Sequence, residues 1–176
     1  MGSRPRLPIV AIVGSVVAVD QVTKWWALHA LDDRDIDLVG TLRLHLVMNK
    51  GSAFGFGSRF TPLITLVAIA VVMLFLRTGT KLTGWWPRVA MALVVGGALG
   101  NLTDRIFRVG GGLLGGAVVD FLDLQWWPVF NVADVAISVG AILLVVTAGS
   151  DADGQPDTGG ATEPDTGVAR EEELGR

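Results

Sequence analysis

The chain contains no cysteine, which removes disulfides, thiolate metal ligands and a cysteine nucleophile together. Charge is also scarce: Asp, Glu, Lys and Arg make up 18% of the residues against 51% hydrophobic, and mean hydropathy is +0.53. Histidine occurs twice, at His29 and His45, with no ligand partner at useful spacing, so no metal and no cofactor is expected. G-x-S-x-G and H-E-x-x-H are missing, and the glycines between Gly110 and Gly116 lack the Lys-Ser/Thr ending of a phosphate loop. Lys50 and Ser52 lie in a loop without assembled partners, which argues against a Ser-Lys dyad. The net charge of −3 does not suggest nucleic acid. What remains is a set of long apolar runs, the mark of a polytopic membrane protein.

Arg4 and Arg6 precede an apolar run from Ile9 to about Ala30. It is too long for a signal peptide and holds Asp20 and Lys24, so a retained first span is expected, with Trp25 and Trp26 near its far interface. The polar stretch that follows places Leu42, Leu44, Leu46 and Met48 on one face at period two, a strand signal. The turn-rich segment Asn49–Gly57 then suggests a small sheet at the membrane surface that covers a site. A second span is expected over Thr61–Leu76. A third is expected over Val89–Phe107, entered by Trp85-Trp86-Pro87, with Gly96 and Gly100 allowing close helix approach. A fourth is expected from about Val129 to Ala148. The six tryptophans read as interfacial anchors.

The expected fold is therefore mainly α: four transmembrane helices with a small strand-containing extracytoplasmic platform between helices 1 and 2. Residues 1–149 form the membrane domain, and 150–176, rich in Gly, Asp, Glu, Thr and Pro, form a disordered acidic tail in the cytoplasm. Basic residues near span ends divide as Arg4, Arg6, Arg77, Lys81 and Arg88 against Arg34, Arg43, Lys50, Arg59, Arg105 and Arg108. Their density, though not their number, favours cytoplasmic termini.

With four spans, every unusual polar residue gathers at one membrane face. Asp20 and Lys24 lie in the far half of span one, and Asn101, Asp104 and Arg105 end span three. Asn131 and Asp134 begin span four, and Asn49 and Asp120 occupy the two far-side loops. An aspartate at a helix centre costs about 2.5–3.5 kcal/mol on insertion scales, so convergence points to a site rather than to scattered anchors. Asp20 and Lys24 are spaced i,i+4 and read as a structural ion pair; Asn101–Arg105 and Asn131–Asp134 also share helix faces. Asp104 and Asp123 read as solvated or locally paired. Asp120 and Asp134, embedded in Val118–Phe121 and Phe130–Asp134, read as two carboxylates sharing a proton, an aspartyl protease dyad. A proton-coupled transporter is the rival, but a relay would spread ionisable groups across the membrane depth, and the inner halves are bare. A non-catalytic assembly factor would tolerate Asp-to-Asn changes.

Four blocks carry a family resemblance: Asp20-Gln21-Val22-Thr23-Lys24; Asn49-Lys50-Gly51-Ser52-Ala53-Phe54; Gly100-Asn101-Leu102-Thr103-Asp104-Arg105; and Val119-Asp120-Phe121 with Phe130-Asn131-Val132-Ala133-Asp134. In this order the chain, over residues 8 to about 148, resembles the bacterial lipoprotein signal peptidases, which are intramembrane aspartic endopeptidases. The resemblance implies Asp120 and Asp134 as catalytic dyad, with Asn49, Asn101, Arg105 and Asn131 lining the site and Asp20 and Lys24 supporting it. It implies a bacterial inner-membrane enzyme with its site near the extracytoplasmic face. Its substrate would be a diacylglyceryl-modified prolipoprotein, cut just before the lipidated lipobox cysteine. A monomer in contact with membrane lipid is expected.

Overall fold

A computed structural model describes residues 7–51, 61–78, 82, 84–108 and 115–152. Among these residues four helices and three strands follow in the order α1 Leu7–Ala30, β1 Ile36–Val39, β2 Leu42–Asn49, α2 Thr61–Thr78, α3 Trp85–Phe107, β3 Val118–Asp123 and α4 Val132–Ala152. Most of the cover segment Asn49–Gly57, the glycines Gly110, Gly111 and Gly112 and the tail from 153 onward lie outside the described residues.

The helices form because long apolar runs satisfy their own backbone groups, as a bilayer requires. Pro8–Ala30 and Trp85–Phe107 are each long and apolar enough to cross a membrane; Thr65–Phe75 and Val132–Ala148 are shorter apolar stretches. The outward faces are apolar, with Val10, Val22, Leu63, Leu66, Ile142 and Val145 exposed, while Asp20, Lys24, Asp104 and Arg105 are buried. That inversion suits lipid outside and polar groups inside.

α3 is the central helix, packed against α1 and α4 and, less extensively, against α2. Glycines permit this. A Cβ at Gly96 would lie 2.8 Å from Val16 Cβ, and one at Gly100 would lie 2.6 Å from Asp20 Oδ2. Gly97 abuts the Ala133 carbonyl and Ile137, and Gly140 of α4 meets the Ala90 carbonyl. The expected close approach at Gly96 and Gly100 is thus present, and Gly97 and Gly140 extend it to α4. Pro87 sits in the first turn of α3, where its missing N–H leaves no helical bond unmade.

The sheet is antiparallel in the order β1-β2-β3. β1 and β2 are joined by Gly40-Thr41, and Gly40 takes the positive φ of 59° that a two-residue hairpin loop demands. Its third strand comes from the α3–α4 connection, so the platform is not confined to the segment between helices 1 and 2. Asp120, expected in a loop, lies in β3. Ala27 and Leu31 of α1 pack with Phe121, and Ile36, Leu44, Leu46, Leu122 and Val132 surround them. That cluster docks the sheet on the end of α1 and fixes the height of β3.

Two expectations need correction. The fourth helix begins at Val132, not near Val129, because Phe130 pairs with Leu122 as an extension of the sheet. The face Leu42–Leu44–Leu46–Met48 is not continuous. An irregularity between Leu44 and Val47 shifts the β2–β3 register, so that Asn49 stands opposite Val118 and Met48 is 44% exposed.

Candidate active site

Asn131 organises the site. It precedes α4, and its Oδ1 accepts the Asp134 N–H at 3.0 Å while its own N–H donates to Asp134 Oδ2 at 3.2 Å, a reciprocal capping box. Its Nδ2 donates to Asp120 Oδ1 at 2.6 Å and to Asn101 Oδ1 at 3.0 Å. One side chain thus joins the strand that carries Asp120 to the helix that carries Asp134.

The remaining oxygens of both carboxylates meet amides. Asn49 Nδ2 donates to Asp120 Oδ2 at 2.8 Å, and Asn49 is itself fixed by accepting the Gly51 N–H at 2.8 Å. Asn101 Nδ2 donates to Asp134 Oδ1 at 2.8 Å. Asp120 is 2% exposed. Burial pushes its carboxyl up to about 6; the charge of Asp134 adds to this, and the Asn49 and Asn131 bonds and the Lys24 charge oppose it.

Arg105 is buried beside the pair, 8% exposed, and among the described residues its Nη1 has no hydrogen-bond partner. It interacts electrostatically with Asp120, Asp134 and Asp104 but caps neither carboxylate. A guanidinium donor with no protein acceptor at such a place is available to a carbonyl oxygen.

Beneath the pair lies a second polar layer. Lys24 Nζ is 2.9 Å from Asp20 Oδ2 and 2.9 Å from Asp104 Oδ2, all three side chains fully buried. Asp104 also pairs with Arg108 Nε at 2.7 Å and accepts the Val119 N–H at 3.2 Å. Asp20 accepts the Ala133 N–H at 3.0 Å, so it caps the start of α4 as well. Gln21 Nε2 bridges Asp20, the Gly100 carbonyl and Asp104 at 3.1–3.3 Å.

All eight residues expected at the site or in its support are therefore gathered here. Asp104, expected to be solvated or locally paired, has the local partner and a further role. It is paired locally with Arg108, but it is not solvated and belongs to the support layer as fully as Asp20. Gln21 and Arg108 were missed; the i,i+4 spacing of Asp104 and Arg108 was the available signal for the latter. Asp123 is buried against Arg43, whose Nε lies 2.6 Å from its Oδ2. His45 pairs with Asp35 at 2.7 Å and His29 with the Trp25 carbonyl at 2.7 Å, neither at the site.

A buried and a half-buried carboxylate held by neutral amides in an apolar helical bundle are the arrangement expected of one class, a membrane enzyme of the aspartic peptidase kind. Comparison with known proteins narrows this. The profile of the family described as "Signal peptidase (SPase) II" matches residues 12–149. A lipoprotein signal peptidase of Rhodococcus jostii (strain RHA1) is 48% identical over 143 residues, covering 80% of this chain and 72% of the relative. One of Mycobacterium avium (strain 104) is 43% identical over 140 residues, covering 78% and 76%. A solved structure described as a bacterial membrane enzyme determined by the in meso method at 2.3 Å resolution is also similar. It superposes with a TM-score of 0.74 at 26% identity, covering 86% of this chain and 93% of that one. The chain belongs to the signal peptidase II family.

Proposed function

We propose that Asp120 and Asp134 are the catalytic dyad with which this enzyme removes the signal peptide from diacylglyceryl-modified prolipoproteins. The observation that carries the reading is Asn131, whose one side chain is bonded to both aspartates. One aspartate, ionised, takes a proton from water as that water attacks the scissile carbonyl. The other, protonated, donates to the carbonyl oxygen; as the gem-diol collapses, the first aspartate passes the proton it took from water to the leaving amine and the second recovers its own from a gem-diol hydroxyl. The raised Asp120 carboxyl suits such a pair, because it keeps a proton where an ordinary carboxylate has lost it. Arg105 offers its Nη1 to the substrate backbone. Asn49 and Asn101 orient the two carboxylates.

In this reading four helices span the inner membrane of a bacterium, both termini are cytoplasmic, and the sheet lies on the extracytoplasmic side. The apolar outward faces of α1, α2 and α4 support it, since a lipidated substrate then approaches sideways with its acyl chains still in lipid. The enzyme acts as a monomer, cuts immediately before the lipidated cysteine and uses no metal.

The test is cleavage of a diacylglyceryl-modified prolipoprotein by purified wild type, Asp120→Asn and Asp134→Asn, beside an unlipidated substrate. Cutting of the lipidated form alone, lost in both folded variants, upholds the assignment. Near-normal activity in either variant removes that aspartate from the dyad.

A further inference from the structure

Lys24 appears at first to be a structural cation, neutralised by Asp20 and Asp104. Its third bond gives it a further role. An ammonium has three N–H donors, and those of Lys24 are committed to Asp20 Oδ2, Asp104 Oδ2 and Asn101 Oδ1, each at 2.9 Å. Asn101 Oδ1 also receives Asn131 Nδ2 at 3.0 Å. Both bonds demand oxygen at that end of the amide, so the NH₂ end must face Asp134 Oδ1, which it meets at 2.8 Å. A flipped Asn101 would turn NH₂ against the ammonium and oxygen against a carboxylate.

From this we infer that Lys24 is a positioning residue for the reaction: it locks the Asn101 amide and, through it, the orientation of the Asp134 carboxylate. The inference rests on the dyad assignment above. Lys24 makes no hydrogen bond to either carboxylate of the dyad, so beyond the reach of its charge its orienting influence passes through Asn101. The lock is rigid because its three arms come from two helices held in contact: Asp20 from α1, Asn101 and Asp104 from α3. A cation on one side of the Asn101 amide also polarises the N–H bonds on the other, which strengthens the bond to Asp134.

The experiment is steady-state cleavage of a diacylglyceryl-modified prolipoprotein by the full chain in detergent. Variants are Asn101→Ala, the charge-balanced pair Asp20→Asn/Lys24→Met, and all three changes combined. The pair removes one charge of each sign and leaves Asp104 facing Arg108. A locking role lowers kcat by about tenfold or more in Asn101→Ala and in the pair, with KM within about twofold, because the carboxylate is misaligned while substrate binding persists. The combined variant is then no slower than the worse of the two, since both break one linkage. Losses that multiply overturn the inference, as does wild-type kcat in Asn101→Ala. A charge-balanced pair that fails to fold, or folds with wild-type kcat, overturns it too, leaving Lys24 a structural cation. Asp120→Asn and Asp134→Asn in the same assay separate the two layers. If they are active the dyad reading fails; if they are dead while the Lys24 and Asn101 variants are normal, only the lock fails.

Discussion

Asn131 and Asp134 cap the same helix turn reciprocally: each accepts the other's backbone N–H through its side chain, at 3.2 and 3.0 Å. Asp134 is therefore both a reacting group in the proposed chemistry and part of the start of α4. Its Oδ2 is occupied by the cap and its Oδ1 by Asn101. The geometry of the dyad is set by where a helix begins.

Asn131→Ala should expose that dual role. It removes the cap, costing about 0.5–2 kcal/mol of stability, and it removes the side-chain bond to Asp120. Cleavage should fall by on the order of 100-fold, more than the loss of folded protein explains. Thermal unfolding and kcat measured on the same preparation check this. Activity that merely tracks the folded fraction would leave Asn131 a helix cap and nothing more.

Gly97→Ala should act from outside the site. The new Cβ meets the Ala133 carbonyl and the Ile137 side chain, and overpacking of this kind costs about 1–3 kcal/mol. Because α4 must move away from α3, the Asn101–Asp134 bond lengthens and activity falls with stability. A variant with unchanged unfolding temperature and unchanged activity would mean that the helices separate freely.

Asp104→Ala strips Lys24 of one carboxylate, leaves Arg108 without its partner and leaves the Val119 N–H unmet. Breaking a buried charge pair costs about 3–5 kcal/mol. The expected result is poor recovery of folded protein from membranes, measured by monodisperse yield and unfolding temperature. Stability within about 1 kcal/mol of wild type would show that water takes the place of the lost carboxylate.

Asp120 makes stability depend on pH with a definite sign. Its folded pKa of about 6 lies above the ordinary 3.8, so the folded state holds the proton more tightly. The favourable contribution is complete below the unfolded value and is lost as pH rises through the folded one. Asp120→Asn imitates the protonated form. Wild type should therefore lose stability relative to Asp120→Asn between about pH 4 and about pH 7, by up to about 3 kcal/mol. A difference that stays flat or reverses across that window means that the carboxyl is not held in its neutral form by burial.

Much of this was legible in the chain. The apolar runs gave helices α1 and α3 because 20 or so apolar residues admit few other structures in lipid. The i,i+4 spacing of Asp20 and Lys24 gave their pairing, since helix geometry alone brings them together. β3 was not legible: Val118–Asp123 is short, and its hydrogen-bonding partner lies some 70 residues earlier, in β2. The supporting role of Asp104 was hidden for a related reason. Its local partner Arg108 is visible along the helix, but Lys24 reaches it only when α1 packs against α3. The start of α4 was placed too early because Phe130 reads as apolar helix, whereas the sheet claims it.

The irregularity in β2 carries one more implication. Continuing the register of Leu44 opposite Leu122 would bring Met48 opposite Val118, the place that Asn49 holds. An extra residue in the strand therefore decides whether an amide or a thioether stands near Asp120. Single substitutions within Leu44–Val47 should be tolerated wherever side-chain volume allows. Removing one residue there should make the ladder regular and leave Asn49 opposite Val118, whereas adding one with the irregularity kept should bring Met48 to that place and take the amide donor from Asp120. Along this strand, chain length rather than residue identity is under the stricter constraint, and it is lengthening rather than shortening that the site excludes.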